Sequence, residues 1–243
     1  MSNALFSFLK SVFIFQDAIS WIKAKIPIVL EHNLAKYAII KKAFYLTAMD
    51  DLEGDYLEFG IFTGSSFVTA IRSYKQVKKW YGGKKARFFG YDSFTGFGKV
   101  EENDQHPFYI DSIFSVNEKK VRRYIQKKAG KIPYTLIKGY FEETLKGKSC
   151  KAHDIKKVRV AFIDCDMKAP AALALDYIRE GLQEGSILIL DDFFSYKGSK
   201  EKGVAGAFYE FSNQYKGIHF RSFETYGMGG KVFIVEKIDK QKH

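Results

Sequence analysis

Two hydrophobic runs, each stopping on a pair of aspartates, constrain this chain more than any other feature. Val158-Arg159-Val160-Ala161-Phe162-Ile163 runs into Asp164-Cys165-Asp166, and Ser186-Ile187-Leu188-Ile189-Leu190 runs into Asp191-Asp192. Residues 170–182 between them read as a helix, with Pro170 placed to open it. A strand–helix–strand unit of this length lays its two strands parallel, with their carboxyl ends on one edge. Four carboxylates then converge on a small space, and like charges so close do not all stay ionised without a positive partner. Residues two apart in an extended strand share a face, so Asp164 and Asp166 are expected to point together. Carboxylate oxygens are hard ligands, suited to Mg²⁺, Ca²⁺ or Mn²⁺ rather than zinc. Helix capping at two loops is the alternative, although one aspartate per loop would serve it.

Strand and helix signals alternate through the rest of the chain. Tyr56-Leu57-Glu58-Phe59-Gly60 reads as a strand and residues 65–77 as a helix. Arg87-Phe88-Phe89-Gly90-Tyr91 is a second strand that ends at Asp92, and a loop follows over residues 94–114. Ser115-Val116-Asn117-Glu118 has the form of a capping box opening a helix to about residue 129. Residues 133–137 form a third strand, and 158–163 and 186–190 the fourth and fifth. Residues 203–215 are helical, and 218–236 form a hairpin turning at 227–230. The expected fold is α/β: a Rossmann-like, doubly wound, seven-stranded sheet, mostly parallel with a C-terminal antiparallel hairpin, plus N-terminal helices. Residues 1–50 are expected to be a helical extension and residues 51–243 the main domain.

The first strand turns into its helix through Glu58-Phe59-Gly60-Ile61-Phe62-Thr63-Gly64-Ser65-Ser66. Its glycines allow close backbone approach, and Thr63, Ser65 and Ser66 place hydroxyls and amides at a helix N-terminus, where a carboxylate or phosphate is favoured. The pattern is not GxGxxG, which weighs against a nicotinamide dinucleotide. Asp92, at the end of the second strand, stands where an acid can accept hydrogen bonds from ribose hydroxyls. Gly139-Tyr140-Phe141-Glu142, just after the third strand, could supply a backbone edge and an aromatic wall for a purine.

The chain has 243 residues and a net charge of +11, with 23 Phe and 15 Tyr. Some of these aromatics are expected to line an acceptor pocket, the rest to pack the core. The positive charge suits anionic partners but lies mostly in lysine-rich turns, so nucleic acid is not the expected partner. Two cysteines without a CxxC fit a reducing cytoplasm. The apolar run over residues 5–15 is interrupted by Lys10, followed by Asp17, and is too short to span a bilayer. It is expected to cover the domain or pack on a second copy of the chain. Of His32, His106, His153, His219 and His243, none pairs at metal-ligand spacing, and only His106 is placed to reach a substrate.

Taken together, Gly54-Asp55-Tyr56-Leu57-Glu58-Phe59-Gly60-Ile61-Phe62-Thr63-Gly64-Ser65, Tyr91-Asp92-Ser93-Phe94-Thr95-Gly96-Phe97, Lys138-Gly139-Tyr140-Phe141-Glu142-Glu143-Thr144-Leu145, Ile163-Asp164-Cys165-Asp166 and Leu190-Asp191-Asp192-Phe193 resemble the macrocin O-methyltransferase family of class I S-adenosylmethionine-dependent methyltransferases. The resemblance implies Mg²⁺-dependent methylation of a hydroxyl on a sugar or glycosylated small molecule. By that likeness Glu58, Gly60, Thr63, Gly64, Ser65 and Ser66 hold the donor's methionine part, and Asp92 its ribose. Tyr140, Phe141 and Glu142 border the adenine, with Phe59, Ser93, Gly139 and Asp164 in the same donor-binding set. Asp164, Asp191 and Asp192 hold the metal, and Asp166 or a neighbour is the base, with Asp164 also in the catalytic set. Where the family shows Leu-Tyr-Glu-Ser-Thr after its Asp-x-Asp, this chain has Met167-Lys168-Ala169-Pro170-Ala171, so Lys168 is a candidate to contact the acceptor or act as an alternative base. An RNA or catechol-like acceptor, or a non-catalytic binding role on the same fold, are the competing expectations.

Overall fold

The computed structural model describes residues 3–98, 100, 102–110 and 114–239; His243 and part of the loop at 94–114 lie outside them. Helices α1 (Asn3–Ala24) and α2 (Ile28–Met49) come first. They are followed by β1 (Asp55–Phe59), α3 (Ser65–Tyr81), β2 (Phe88–Asp92), α4 (Glu118–Ala129) and β3 (Tyr134–Lys138). Then come α5 (Phe141–Thr144), β4 (Val158–Ile163), α6 (Lys168–Ile178), β5 (Ile187–Leu190), α7 (Ser195–Gly198), α8 (Gly203–Gln214), β6 (Ile218–Tyr226) and β7 (Gly230–Ile238). The seven strands form one sheet in the order β3-β2-β1-β4-β5-β7-β6. β1 to β5 pair in parallel, and β7 and β6 add an antiparallel edge. The strand order reverses between β1 and β4, and the crevice beyond their carboxyl ends is where ligands bind in open sheets of this kind.

Alternation along the strands sends side chains to two cores. In β4, Val160 and Phe162 pack with α2, α3 and α4, whereas Ala161 and Ile163 pack with α6 and α8. The expected boundary at residue 51 is crossed by the first of these cores: Ile39, Ile40, Ala43 and Phe44 of α2 are buried in it. Arg159, buried inside β4, ties the same helix to the sheet through Thr47 Oγ1 (2.6 Å) and the Phe44 carbonyl (3.2 Å). By contrast, α1 leaves Phe8, Phe13, Phe15, Ile19, Trp21 and Ile22 exposed. Among the described residues no helix is long and apolar enough to cross a membrane.

Two helix starts differ from the sequence expectation. Asn117, not Ser115, caps α4, its side chain accepting from the Lys120 N–H at 3.1 Å. Ser115 is taken up in a β-bridge with Thr95, and Glu118 pairs with Arg122 and Lys138 instead of reaching back. Helix α6 begins at Lys168, two residues before Pro170, because a distant carboxylate supplies its cap. Asp104 accepts from the Lys168 and Ala169 N–H groups at 2.8 and 3.1 Å, satisfying donors that the helix itself leaves open.

Truncating Phe44 to Ala should cost about 3–5 kcal/mol of stability in urea unfolding, the scale for emptying a packed aromatic site. A loss below about 1 kcal/mol would mean that α2 lies outside the cooperative core.

Candidate active site

A cavity of about 430 Å³ lies over the carboxyl ends of the five parallel strands. Its floor is set by hydrogen bonds that continue past the strand ends. Gly60 N–H donates to the Tyr91 carbonyl, Asp164 N–H to Phe59 and Asp191 N–H to Ile163, at 2.9, 2.8 and 2.9 Å. Gly60 has φ +93°, and a Cβ there would stand 1.8 Å from the Asp164 carbonyl oxygen. Only glycine lets the β1 turn lie directly against the β4 loop.

Most of the expected donor-binding residues line this cavity: Gly60, Thr63, Ser65, Ser66, Asp92, Ser93, Gly139, Tyr140, Phe141, Glu142 and Asp164. Glu58, Phe59 and Gly64 do not. Glu58 is fully buried beneath the turn, accepting from the Ser66 and Tyr56 hydroxyls at 2.6 and 2.5 Å. Burial raises its pKa to about 7, against the opposing effect of those two hydroxyls and Lys36. Phe59 stacks on Tyr91 in the core at 4.8 Å. Gly64 faces Ile125 and Val121 of α4. Asp92 reaches the cavity with its carboxylate already engaged: Oδ2 accepts from the Ile61 and Phe62 N–H groups at 2.6 and 2.8 Å, and Oδ1 from Phe94 at 2.6 Å. It therefore pins the β1 turn to the end of β2.

The four acids do converge. Oxygens of Asp164, Asp191 and Asp192 lie within 4.8 Å of one another, and Asp166 lines the same wall. The extended i,i+2 geometry expected for Asp164 and Asp166 is not how they meet. β4 ends at Ile163, and Asp166 sits at φ +64°, with Asp192 at φ +49° across from it. Two aspartates in the left-handed region are held there by the surrounding loops. Lys168 is turned away from this wall, pairing with Glu210 at 2.5 Å. Its peptide N–H and that of Ala169 are held by Asp104, and the Lys168 side chain is not among the cavity's lining residues.

Two residues that sequence reasoning missed complete the cluster. Lys36 of α2, buried, places Nζ 2.8 Å from Asp164 Oδ2 and 2.5 Å from Asp191 Oδ2. His32, one turn earlier, accepts from the Met228 N–H through Nδ1 (3.1 Å), leaving Nε2–H to donate to Asp191 Oδ2 (3.2 Å). Gly227 makes room for the imidazole; a Cβ there would stand 2.3 Å from His32 Nδ1. Tyr226 donates to Asp191 Oδ1 at 2.9 Å. The available signal was a His and a Lys at i and i+4 on the buried stripe of α2, continued by Ile40 and Phe44. His106 stacks on Tyr109 at 4.3 Å and does not line the cavity.

These contacts divide the charges. Burial alone would lower the Lys36 pKa, but Asp164 and Asp191 outweigh it and keep the ammonium charged. Burial would raise Asp191, and Lys36 and His32 hold it well below the usual carboxylate range. At Asp164 burial outweighs Lys36 and pushes the carboxyl well above that range, and burial and Asp192 do the same to Asp166. The cavity is also lined by aromatics, with Phe62, Phe97, Phe108, Tyr109, Phe114 and Tyr140. Part of the aromatic content therefore lines the cavity.

The carboxylate set fits a hard divalent cation in ligand type and spacing, with the Lys36 ammonium already against two of its three members. A switch-point crevice with a glycine turn on one side and an acid wall on the other defines a Rossmann-like methyltransferase. The chain belongs to the macrocin O-methyltransferase (TylF) family, whose model matches residues 35–217, and it is an S-adenosylmethionine-dependent O-methyltransferase. The match begins inside α2, one residue before Lys36. Solved structures share the fold. The O-methyltransferase NovP superposes with a TM-score of 0.68 at 18% identity, covering 84% of this chain and 80% of NovP. The calicheamicin methyltransferase CalS11 gives 0.64 at 18% identity, covering 84% and 79%. An O-methyltransferase from Bacillus cereus in complex with SAH gives 0.50 at 14% identity, covering 88% and 94%. No curated protein sequence matches the chain significantly.

Glu58 makes stability depend on pH in a defined window. Its folded pKa of about 7 lies above its ordinary value of 4.5, so its contribution is complete below 4.5 and is lost as pH rises towards 7. The loss should be about 3 kcal/mol. Glu58→Gln should flatten the unfolding free energy across that window relative to wild type; an unchanged slope would mean the carboxyl titrates normally.

Proposed function

We propose that this enzyme methylates a hydroxyl group of a sugar or sugar-bearing small molecule, with its reaction centre at the acid wall. The observation that carries the reading is the direct contact between the Gly60 turn and the Asp164 loop, which puts the donor half and the carboxylates in one cavity. A saccharide acceptor is supported by family membership and by the description of CalS11 as a TDP-rhamnose 3'-O-methyltransferase. The aromatic lining of the cavity suits the apolar face of a sugar ring or an attached aglycone.

The residues divide the work. The amides of Thr63, Ser65 and Ser66 and the hydroxyls of Thr63 and Ser65 at the start of α3 receive the donor's carboxylate. Gly139 and Tyr140 border its base, and Ser93 with the remaining lone pair of Asp92 Oδ1 faces its ribose. S-adenosylmethionine supplies the methyl group: the acceptor oxygen bonds the methyl carbon as the carbon–sulfur bond breaks, and that electron pair leaves on sulfur. Asp166 takes the hydroxyl proton onto a carboxylate oxygen. A divalent cation held by Asp164, Asp191 and Asp192 would add positive charge that lowers the acceptor hydroxyl pKa. The aromatic walls exclude water and orient the acceptor, where much of the rate enhancement arises. The exposed apolar side chains of α1, with Phe13 and Trp21 more than 60% exposed, support self-association through the N-terminal helices.

Labelled methyl transfer to a panel of nucleotide sugars, glycosides and catechols, with and without EDTA, tests this. Asp166→Asn should lower kcat by roughly 10²–10⁴-fold with donor binding intact, and a saccharide should be the acceptor used. Full activity of Asp166→Asn would remove the base assignment, and exclusive use of catechols would remove the sugar.

A further inference from the structure

We propose that the Lys36 ammonium and a divalent cation are alternative occupants of one carboxylate cradle, so that metal enters only by displacing Lys36 from Asp164 and Asp191. The proposal rests on reading that cradle as the metal site. Lys36 Nζ lies 2.8 and 2.5 Å from Asp164 Oδ2 and Asp191 Oδ2, and both belong to the set whose oxygens lie within 4.8 Å. A hard cation sits about 2.0–2.6 Å from its carboxylate oxygens. An ion shared by these two carboxylates would therefore occupy the space where Nζ now stands. Two cations at that separation repel strongly in a site screened from water.

Lys36 has the properties of a built-in counter-ion. It is buried, its stem runs beside the Phe162 ring with Nζ 5.5 Å from the ring centre, and it projects from a helix locked into the core. One ammonium stands among four aspartates, so carboxylate oxygens beyond the two it touches remain to receive a divalent ion. Asp191 also keeps its hydrogen bonds from His32 and Tyr226, so one ligand stays oriented when the lysine leaves. The cavity, which Lys36 and the neighbouring Asn33 both line, offers the displaced side chain room. The design permits a folded, metal-free enzyme and makes metal occupancy responsive to concentration.

Mn²⁺ titration of the full chain, followed by electron paramagnetic resonance of the free ion, tests this without relying on activity. Lys36→Met keeps the length and apolar stem of the side chain and should bind Mn²⁺ about tenfold or more tightly than wild type. Lys36→Arg should stay near wild type. Equal or weaker Mn²⁺ affinity in Lys36→Met would overturn the competition while leaving the metal site intact. No Mn²⁺ binding by any of the three proteins would instead remove the metal reading, and the proposal with it. A wild-type crystal soaked in Mn²⁺ gives an answer even where the Met variant fails to fold. Anomalous density between Asp164 and Asp191 with Nζ withdrawn supports displacement; the same density with Nζ still bonded to both carboxylates overturns it.

Discussion

The contacts of Lys36 with Asp164 and Asp191 are the interaction on which the rest of the site depends. Four aspartates gathered at the ends of β4 and β5 would repel one another and loosen the very loops that carry them. One buried ammonium from α2 bridges two of them and holds Asp191 ionised, with His32 and Tyr226 completing the bonds of Asp191, while burial pushes the Asp164 carboxyl up. The cost of burying the lysine is offset only because it is doubly paired. That pairing also explains why a helix outside the sheet is packed so firmly against it, with Phe44 beneath and Arg159 reaching up from β4.

The second constraint is topological. Reversal of strand order between β1 and β4 opens the crevice, and the absence of a side chain at Gly60 closes the distance between its two walls. Asp92 then fixes the turn through the Ile61 and Phe62 N–H groups and its own loop through that of Phe94. Glu58 braces it from the core by way of Ser66 and Tyr56. Asp92 holds backbone N–H groups and Glu58 holds two hydroxyls, and together they leave the turn preformed.

The sheet was readable in the sequence because β-strands that are buried on both faces are continuous apolar runs, and their ends are marked by Gly60, Asp92, Asp164 and Asp191. Metal candidates Asp164, Asp191 and Asp192 were readable for the same reason, since topology alone brings adjacent strand ends together. What could not be read required knowledge of distant partners. Glu58 looks like a ligand-binding acid in the motif and becomes a buried brace because Tyr56 and Ser66 face it. Lys168 follows the acid motif in sequence, yet Glu210 and the capping carboxylate of Asp104 draw it outward. Lys36 and His32 were hidden in a helix whose apolar spacing suggested a simple cover, 128 residues from Asp164 in the chain. Asp166 reached its expected place by a left-handed turn that no strand periodicity implies.

A crystal structure with bound S-adenosylhomocysteine tests most directly whether donor and acid wall form one reaction centre. The product's carboxylate should lie at the Thr63–Ser66 amides, with its sulfur facing Asp164 and Asp166. A nucleoside bound elsewhere, or a sulfur turned away from those carboxylates, would contradict the assignment of the acid wall to methyl transfer.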